Sequence, residues 1–407
     1  MSTKREFDVI IWGASGFTGR LVAEYYLNTY GLDGELKWAM AGRNQTKLEE
    51  VRKGLGNDNI PLILADSHDT ASLNELAKRT KVVCTTVGPY AKYGNELVAA
   101  CVENGTDYCD LAGETQWIRR MIDKHHKAAK EAGCRIVHCC GFDSIPSDMG
   151  VYFLQREAKH HYGEYCYHIK MRLKAAKGAM SGGTFASMNN VMLEASKDPE
   201  VKKVIFNPYG LNPQGEMSGP DKPDMQSVKY DSDLKAWIMP FIMAAINTRV
   251  VRRSHALKSY PYGKDFLYDE AMMSGKGFTG RAKGYAGLLT LGLMMAGKPG
   301  SWYKNTINRF FPEPGEGPNK AEREAGFFTF SVIGRMNDRT LVAKVTGDRD
   351  PGYGSTSKML GESAACLALD KKHLPKMCGV LTPSTAMGDA LLHRLEEKAG
   401  LGFSIEP

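Results

Sequence analysis

The nine cysteines of this sequence include no C-x-x-C pair and no regular spacing, only the adjacent Cys139-Cys140. Zinc ribbons and disulfide frameworks both depend on such spacing, so the expectation is reduced thiols acting as small buried hydrophobes in a cytosolic core, with no metal site. Long apolar runs are also missing. Trp237–Ile246 and Tyr285–Ala296 fall well short of the roughly 20 residues that span a bilayer. The first apolar strand begins almost at Met1 with charged residues before it, which leaves no room for the apolar core and cleavage site of a signal peptide, and a cytoplasmic protein is expected. Charge is not concentrated either. A formal +7 over 407 residues, with Lys and Arg dispersed, admits anionic ligands or surfaces but gives no footprint for nucleic acid. There is no internal repeat or low-complexity tract.

What is present is enough apolar content, 43% over 407 residues, for a large core and two domains. The chain is organised around Phe7–Trp12, a short Val/Ile-rich run that reads as a strand buried on both faces. Gly13-Ala14-Ser15-Gly16-Phe17-Thr18-Gly19 follows, then a helix expected from about Arg20, with Leu21/Tyr25 and Val22/Tyr26 at i, i+4. In this strand, turn and helix, Gly13 permits the tight turn, Gly16 lets the backbone approach a pyrophosphate, and Gly19 lets helix and strand pack closely. Ser15, Phe17 and Thr18 lie at the same helix start and complete the expected phosphate cradle. The spacing is G-x-x-G-x-x-G, and its context identifies a dinucleotide site rather than an ordinary tight turn.

Just past a second strand, Leu36–Ala41, Arg43 and Asn44 occupy the place where an NAD site usually carries an acid. Arginine there suits a 2′-phosphate, so NADP(H) is favoured over NAD(H). Asp66 ends a third strand and fits either a contact to the adenine or its neighbouring loop, or a helix N-cap. A fourth strand, Val82–Val87, runs into Gly88-Pro89-Tyr90-Ala91-Lys92-Tyr93-Gly94, a loop expected beside the nicotinamide, with Gly88 and Pro89 as cofactor contacts and Tyr90 and Tyr93 as candidate proton donors or, taken singly, aromatic packing at the loop base. Further strands lead to Gly113-Glu114 and to Gly141–Pro146, where Asp143 and Ser144 fit either chemistry or turn capping. Alternating strands and helices predict a doubly wound parallel sheet whose loops gather at one crevice. His138 reads as a core histidine, and His125-His126 and His160-His161 read as helix surface.

The fold class expected is therefore α/β: an N-terminal Rossmann-type doubly wound parallel sheet over 1–148, a second α+β domain over 149–350 with a mixed or antiparallel sheet, and a helical segment over 351–407 returning to the first domain. Within the second domain, Ser181-Gly182-Gly183-Thr184 opens a helix where a substrate carboxylate, thioester oxygen or phosphate could dock, and Thr184 is a candidate donor or an N-cap. The Met-rich segments at 237–246 and 285–296 fit buried core helices, an acyl pocket, a membrane contact or a homodimer interface. Phe327–Gly334 and Thr340–Gly347 alternate as paired strands.

GASGFTG at 13–19, AGRN at 41–44, VGPYAKYG at 87–94, DYCDLAGE at 107–114 and GFDSIPSD at 141–148 together resemble the saccharopine-dehydrogenase-like oxidoreductases. SGGTFASM at 181–188, PGEGPNKAEREAGFF at 314–328, DPGYGSTSKMLGE at 350–362 and GVLTPSTAMG at 379–388 are similar to the trans-acting enoyl reductase branch of bacterial lipid and polyketide synthesis. The resemblance implies NADP(H)-dependent reduction of a C=C bond in a carrier-bound or CoA-linked acyl intermediate, with an acyl-carrier or synthase partner. Tyr90, Tyr93, Ser144 and Thr184 are then the candidates for the hydrogen bond to the thioester oxygen, and no Ser-x-x-x-Lys or Tyr-x-x-x-Lys signature selects among them. Two other readings stay open. One is a saccharopine reductase reducing an imine, its substrate carboxylates held by Arg249, Arg252 and Arg253. The other is a non-catalytic NADP-binding protein of lipid surfaces.

Overall fold

The computed structural model describes residues 5–178, 182–296 and 317–406. The first half alternates strand and helix: β1 (Phe7–Trp12), α1 (Phe17–Tyr30), β2 (Trp38–Gly42), α2 (Gln45–Gly54), β3 (Leu62–Leu64), α3 (Thr70–Arg79), β4 (Thr80–Thr85), α4 (Tyr90–Tyr93), α5 (Asn95–Glu103), β5 (Asp107–Cys109), α6 (Thr115–Ala132), β6 (Arg135–Val137) and α7 (Ile145–Tyr162). The rest comprises β7 (His168–Lys177), α8 (Gly182–Lys197), α9 (Pro199–Phe206), β8 (Lys229–Asp231), β9 (Ala236–Met239), α10 (Ala244–Leu257), β10 (Leu267–Gly275), α11 (Gly277–Met295), α12 (Lys320–Glu324), β11 (Phe327–Arg335), β12 (Thr340–Gly347), a π turn at Pro351–Ser355, α13 (Thr356–Leu369), β13 (Gly379–Leu381), α14 (Pro383–Glu397) and β14 (Leu401–Ile405).

Sheet one is parallel throughout, in the order β13-β6-β5-β4-β1-β2-β3. All six residues of β1 are buried, as a central strand covered by helices on both faces requires. Order reverses beside β1, the place where crossover helices leave on opposite faces and a crevice opens above the strand ends. Sheet two runs β14-β12-β11-β7-β10-β9-β8; β7 and β10 are parallel and the other pairs antiparallel. This is the mixed sheet expected for the second half.

The chain does not divide cleanly between the sheets. Helix α7 runs continuously through position 148, with Met149 and Leu154 buried in the core shared with sheet two. Of the last 57 positions, β13 joins sheet one and β14 joins sheet two. Helix α13 packs on α1, where Tyr26 donates its hydroxyl to the Gly361 carbonyl at 2.7 Å and Glu362, fully buried, accepts the hydroxyls of Tyr25 and Tyr30 at 2.8 and 2.7 Å.

Several expectations are corrected. Helix α1 opens at Phe17, not Arg20, because Gly16 already serves as its N-cap. Tyr90–Tyr93 forms a helical turn inside the expected loop. Trp237–Ile246 is no buried helix but β9, a turn, and the start of α10. His125 is buried, and His126 Nδ1 accepts the Val380 N–H at 3.2 Å, because β13 from the distant C-terminal segment covers α6. All nine cysteines are free thiols, eight of them buried.

Candidate functional site

The turn after β1 needs its glycines for different reasons. Gly13 has φ +86°, and a Cβ there would stand 2.5 Å from Val87 Cγ2. A Cβ at Gly19 would meet the Gly13 carbonyl oxygen at 2.2 Å, so α1 rests directly on the turn. Gly16 has an ordinary φ of −80°, and its Cβ would come no closer than 3.3 Å to anything. It is exposed, and no side chain caps the helix it precedes. The bare helix start, with partial positive charge and N–H groups directed outward, is suited to a phosphate. Ser15 and Thr18 are half-buried beside it. The Phe17 ring is packed edge-on against Tyr353 at 4.7 Å, so its part in a cradle is its backbone N–H.

Arg43 is exposed and forms no ion pair among the described residues. Asn44, expected beside it in the cofactor site, instead caps α2 by accepting the Lys47 N–H at 3.0 Å. Asp66 has its Oδ1 turned into its own loop, accepting the His68 N–H at 2.9 Å. Gly88 is exposed and Pro89 half-buried at the C-terminal edge of the sheet, next to β4.

Tyr90 is a correction. It is buried, stacked on Trp117 at 5.4 Å, and its hydroxyl donates to the Thr85 carbonyl and accepts the Leu111 N–H at 3.1 Å. Burial, with the Asp110 charge behind it, pushes its pKa well up. A hydroxyl so engaged braces the crevice wall and is not a proton donor to a substrate. Its backbone is fixed by Glu114, fully buried, which accepts the N–H groups of Tyr90 and Ala91 at 2.7 and 3.0 Å and the Ser187 hydroxyl at 3.0 Å. Burial raises the Glu114 carboxyl above its usual range, and those three bonds oppose the shift. Glu114 has no assigned role at the level of sequence, since the acceptor is needed only because Tyr90–Tyr93 is helical. Tyr93 is half-buried, its ring 5.8 Å from His68.

Ser144 is likewise buried, and it faces sheet two. Its hydroxyl donates to Asn247 Oδ1 at 3.1 Å; Asn247 donates in turn to Glu270 at 2.9 Å, and the Tyr268 hydroxyl donates to the same carboxylate at 2.6 Å. Thr184 lies at the start of α8, and its side chain is outside the described residues. His138 is the core histidine expected, with Nδ1 2.6 Å from Asp110 Oδ2. Asp143, in the loop after β6, has its Oδ2 3.8 Å from where a Cβ on Gly113 of the β5 loop would stand.

Arg249, Arg252 and Arg253 are all buried and internally paired. Arg249 binds Asp224; Arg252 binds Asp221 at 2.6 Å and the Tyr268 carbonyl at 2.7 Å; Arg253 donates to the carbonyls of Leu211 and Val380 at 2.6 and 2.7 Å. They staple α10 to its surroundings and present no guanidinium to a substrate carboxylate.

Helix α11 is the opposite of a buried core helix, which corrects that one of the readings of 285–296. Gly280, Gly284 and Gly287 seat it against Gly275, Val228 and Met239, while Phe278, Tyr285 and Leu289 are 83, 50 and 65% exposed. No described helix is long and apolar enough to cross a membrane.

Residues 9–137 match the saccharopine dehydrogenase NADP binding domain. The chain is 38% identical to a trans-acting enoyl reductase of Mycobacterium ulcerans over 97% of each chain. It is 40% identical, over 97% of its length and 96% of the other's, to a Mycobacterium tuberculosis protein provisionally given the same name. Saccharopine dehydrogenase (L-Glu forming) from Saccharomyces cerevisiae superposes with a TM-score of 0.53 at 14% identity, covering 98% of this chain and 100% of that one, and shows the same fold.

Proposed function

This chain belongs to the trans-acting enoyl reductases, a branch of the saccharopine-dehydrogenase-like oxidoreductases, and we propose that it reduces the C=C bond of a 2-enoyl thioester presented by a carrier or CoA. The single observation that carries this over amino-acid imine reduction is the internal pairing of Arg249, Arg252 and Arg253, which leaves a tricarboxylate-like substrate without its expected partners.

The residues present fit NADP(H). The uncapped α1 start and the side-chain-free Gly16 would take the pyrophosphate, and the exposed, unpaired Arg43 would take the 2′-phosphate, favouring NADP(H) over NAD(H). When bound, the nicotinamide supplies a hydride. The chain must do the remainder: hold the β-carbon beside the ring, stabilise the oxygen where enolate charge develops, and deliver a proton to the α-carbon. Gly88, Pro89 and the Glu114-fixed Tyr90 backbone form the wall for the ring. Tyr93 and Thr184 stay the candidates for the thioester oxygen.

The partner reading includes a lipid surface beside the carrier or synthase. Residues 271–312 contain six Lys or Arg and no Asp or Glu, and within them α11 exposes Phe278, Tyr285 and Leu289. On the described part, exposed Phe278, Tyr285 and Leu289 share α11 and its start with Lys276, Arg281 and Lys283, and an apolar face with such cations suits the anionic headgroup zone of a membrane. The function is tested by following NADPH oxidation with a long-chain 2-enoyl thioester and, separately, with glutamate plus aminoadipate semialdehyde. Turnover of the thioester alone is expected; turnover of the amino-acid pair alone would replace this reading with imine reduction. NADPH binding without turnover of either, with the carrier supplied, would leave a non-catalytic role.

A further inference from the structure

Asp143 stands at the meeting point of three parts of the molecule. It follows β6 at the edge of sheet one where the β4 and β5 loops also emerge, and its Oδ2 lies 3.8 Å from the position of a Cβ on Gly113 in the β5 loop. Its neighbours fix the loop firmly. Phe142 donates its N–H to Thr356 Oγ1 at 3.1 Å, and its ring packs edge-on against Phe328 of sheet two at 4.9 Å. Ser144 is anchored to Asn247. Between two anchored residues, Asp143 itself is half-buried, and its carboxyl has no hydrogen bond or ion pair among the described residues.

That combination is unusual for a carboxyl group in an apolar setting. The other buried acids among the described residues are engaged, as Asp110 is with His138, Glu114 with Tyr90 and Ala91, Asp148 with Ser254 and Glu362 with Tyr30. A carboxyl held by its backbone but left unbonded has its proton available to something that enters the crevice. Of the other donors near the crevice, Tyr90 and Ser144 have their hydroxyls committed internally.

We propose that Asp143 is the catalytic acid that protonates the α-carbon of the substrate. The inference rests on the enoyl-reductase reading. With the hydride that bound NADPH would supply placed on the β-carbon, the C=C π pair moves toward the α-carbon and thioester oxygen; the α-carbon takes the proton from the Asp143 O–H, and the resulting carboxylate recovers a proton from solvent. One C–H bond forms at each carbon, NADPH is oxidised, and the acid is regenerated. Burial pushes the Asp143 carboxyl up to about 7, so the protonated form is held near neutrality. The ionisable group that interacts with it is the Cys139 thiol of its own loop; Glu114, next to Gly113 in the β5 loop, is turned to Tyr90, Ala91 and Ser187, and Thr356 and Phe328, which hold the adjoining Phe142, carry no charge.

Asp143→Asn keeps the shape and removes the proton. With a 2-enoyl thioester and NADPH, kcat should fall by about 100-fold or more, while NADPH binding, followed by fluorescence of the protein without substrate, stays within threefold. Infrared difference spectra of the cofactor-free protein, wild type minus variant, should contain a protonated-carboxyl band at pH 6 that vanishes by pH 8.5. In the wild type, kcat should decline above pH 7, a readout that holds even where the variant fails to fold. A wild type that turns over the thioester with a kcat flat from pH 6 to 9, or a folded variant within threefold of it, removes Asp143 as the acid and leaves the enoyl-reductase reading intact. A wild type that binds NADPH but never turns over the thioester overturns both.

Discussion

Glu114 accepts the backbone N–H of Tyr90 at 2.7 Å, tying the loop after β5 to the helical turn after β4. The same carboxylate also takes Ala91 N–H and the Ser187 hydroxyl, so three chain segments around the crevice converge on one side chain. Glu114→Ala would leave two N–H groups unsatisfied at a buried site, a loss on the order of 2–3 kcal/mol. Glu114→Gln, which keeps one acceptor, should lose about half of that. Urea denaturation measures both, and unchanged midpoints would mean that water replaces the carboxylate.

Arg43 has no partner within the described protein, so substituting it should leave stability alone and act on the cofactor. A charge-assisted contact to a 2′-phosphate is worth roughly 1.5–3 kcal/mol, or about 10- to 100-fold in Kd. Arg43→Asp should weaken NADPH by that factor and leave NADH nearly untouched. Equal losses for both cofactors would take Arg43 out of the site.

The first glycine of the turn is closed in by the Val87 side chain and the last by the turn's own backbone, while the middle one has room. Gly19→Ala places a methyl 2.2 Å from the Gly13 oxygen, forcing α1 off the turn; a loss of about 2–3 kcal/mol in stability is expected, with cofactor affinity falling alongside. Gly16→Ala meets nothing nearer than 3.3 Å. It should fold with a near-native Tm and still lose NADPH affinity. Thermal melts paired with fluorescence titrations separate the two effects, and identical behaviour of both variants would contradict this division of labour.

Glu270 is buried on β10, and burial pushes its carboxyl from 4.5 up to about 7 despite bonds from Tyr268 and Asn247. Between those two values the folded state retains a proton that the unfolded chain releases, so stability falls as pH rises through that window and stays at the lower level above it. The change is on the order of 3 kcal/mol. Glu270→Gln does not titrate. The stability of wild type relative to this variant should therefore decline by that amount between pH 4.5 and 7.5, and a constant difference would assign the shift elsewhere.

Local pattern was enough to read the first half of the fold. Phe7–Trp12, the glycine turn and the alternating strands carry their own signals, because a central parallel strand must be apolar throughout and a phosphate turn must lack side chains. What stayed hidden depends on distant pairing. His126 reads as helix surface until Val380, 254 residues on, arrives as the edge strand that covers it. Arg252 reads as a free cation until Asp221 and the Tyr268 carbonyl close around it. Tyr90 stays open between proton donor and packed ring because nothing local reveals that Trp117 stacks on it. The availability of Asp143 was equally illegible, since an unbonded carboxyl is recognised only once its neighbours are placed.

Helix α11 carries the last expectation. It packs through glycines on one side, and on the other it exposes Phe278 and Leu289 at 83 and 65%, flanked by Lys276, Arg281 and Lys283 with no acid among them. Water is a poor solvent for such a face, and an anionic bilayer offers both an apolar layer and negative charge. Sedimentation with phosphatidylglycerol-containing vesicles should carry the protein down, phosphatidylcholine vesicles alone should retain less, and raised salt should release part of it because the cationic share of binding is screened. Phe278→Glu with Leu289→Glu should abolish sedimentation yet leave soluble 2-enoyl thioesters as good substrates, since neither residue lies at the glycine turn or the β4–β6 loops. Absence of sedimentation by the wild type on both vesicle types would assign this face to a protein partner instead.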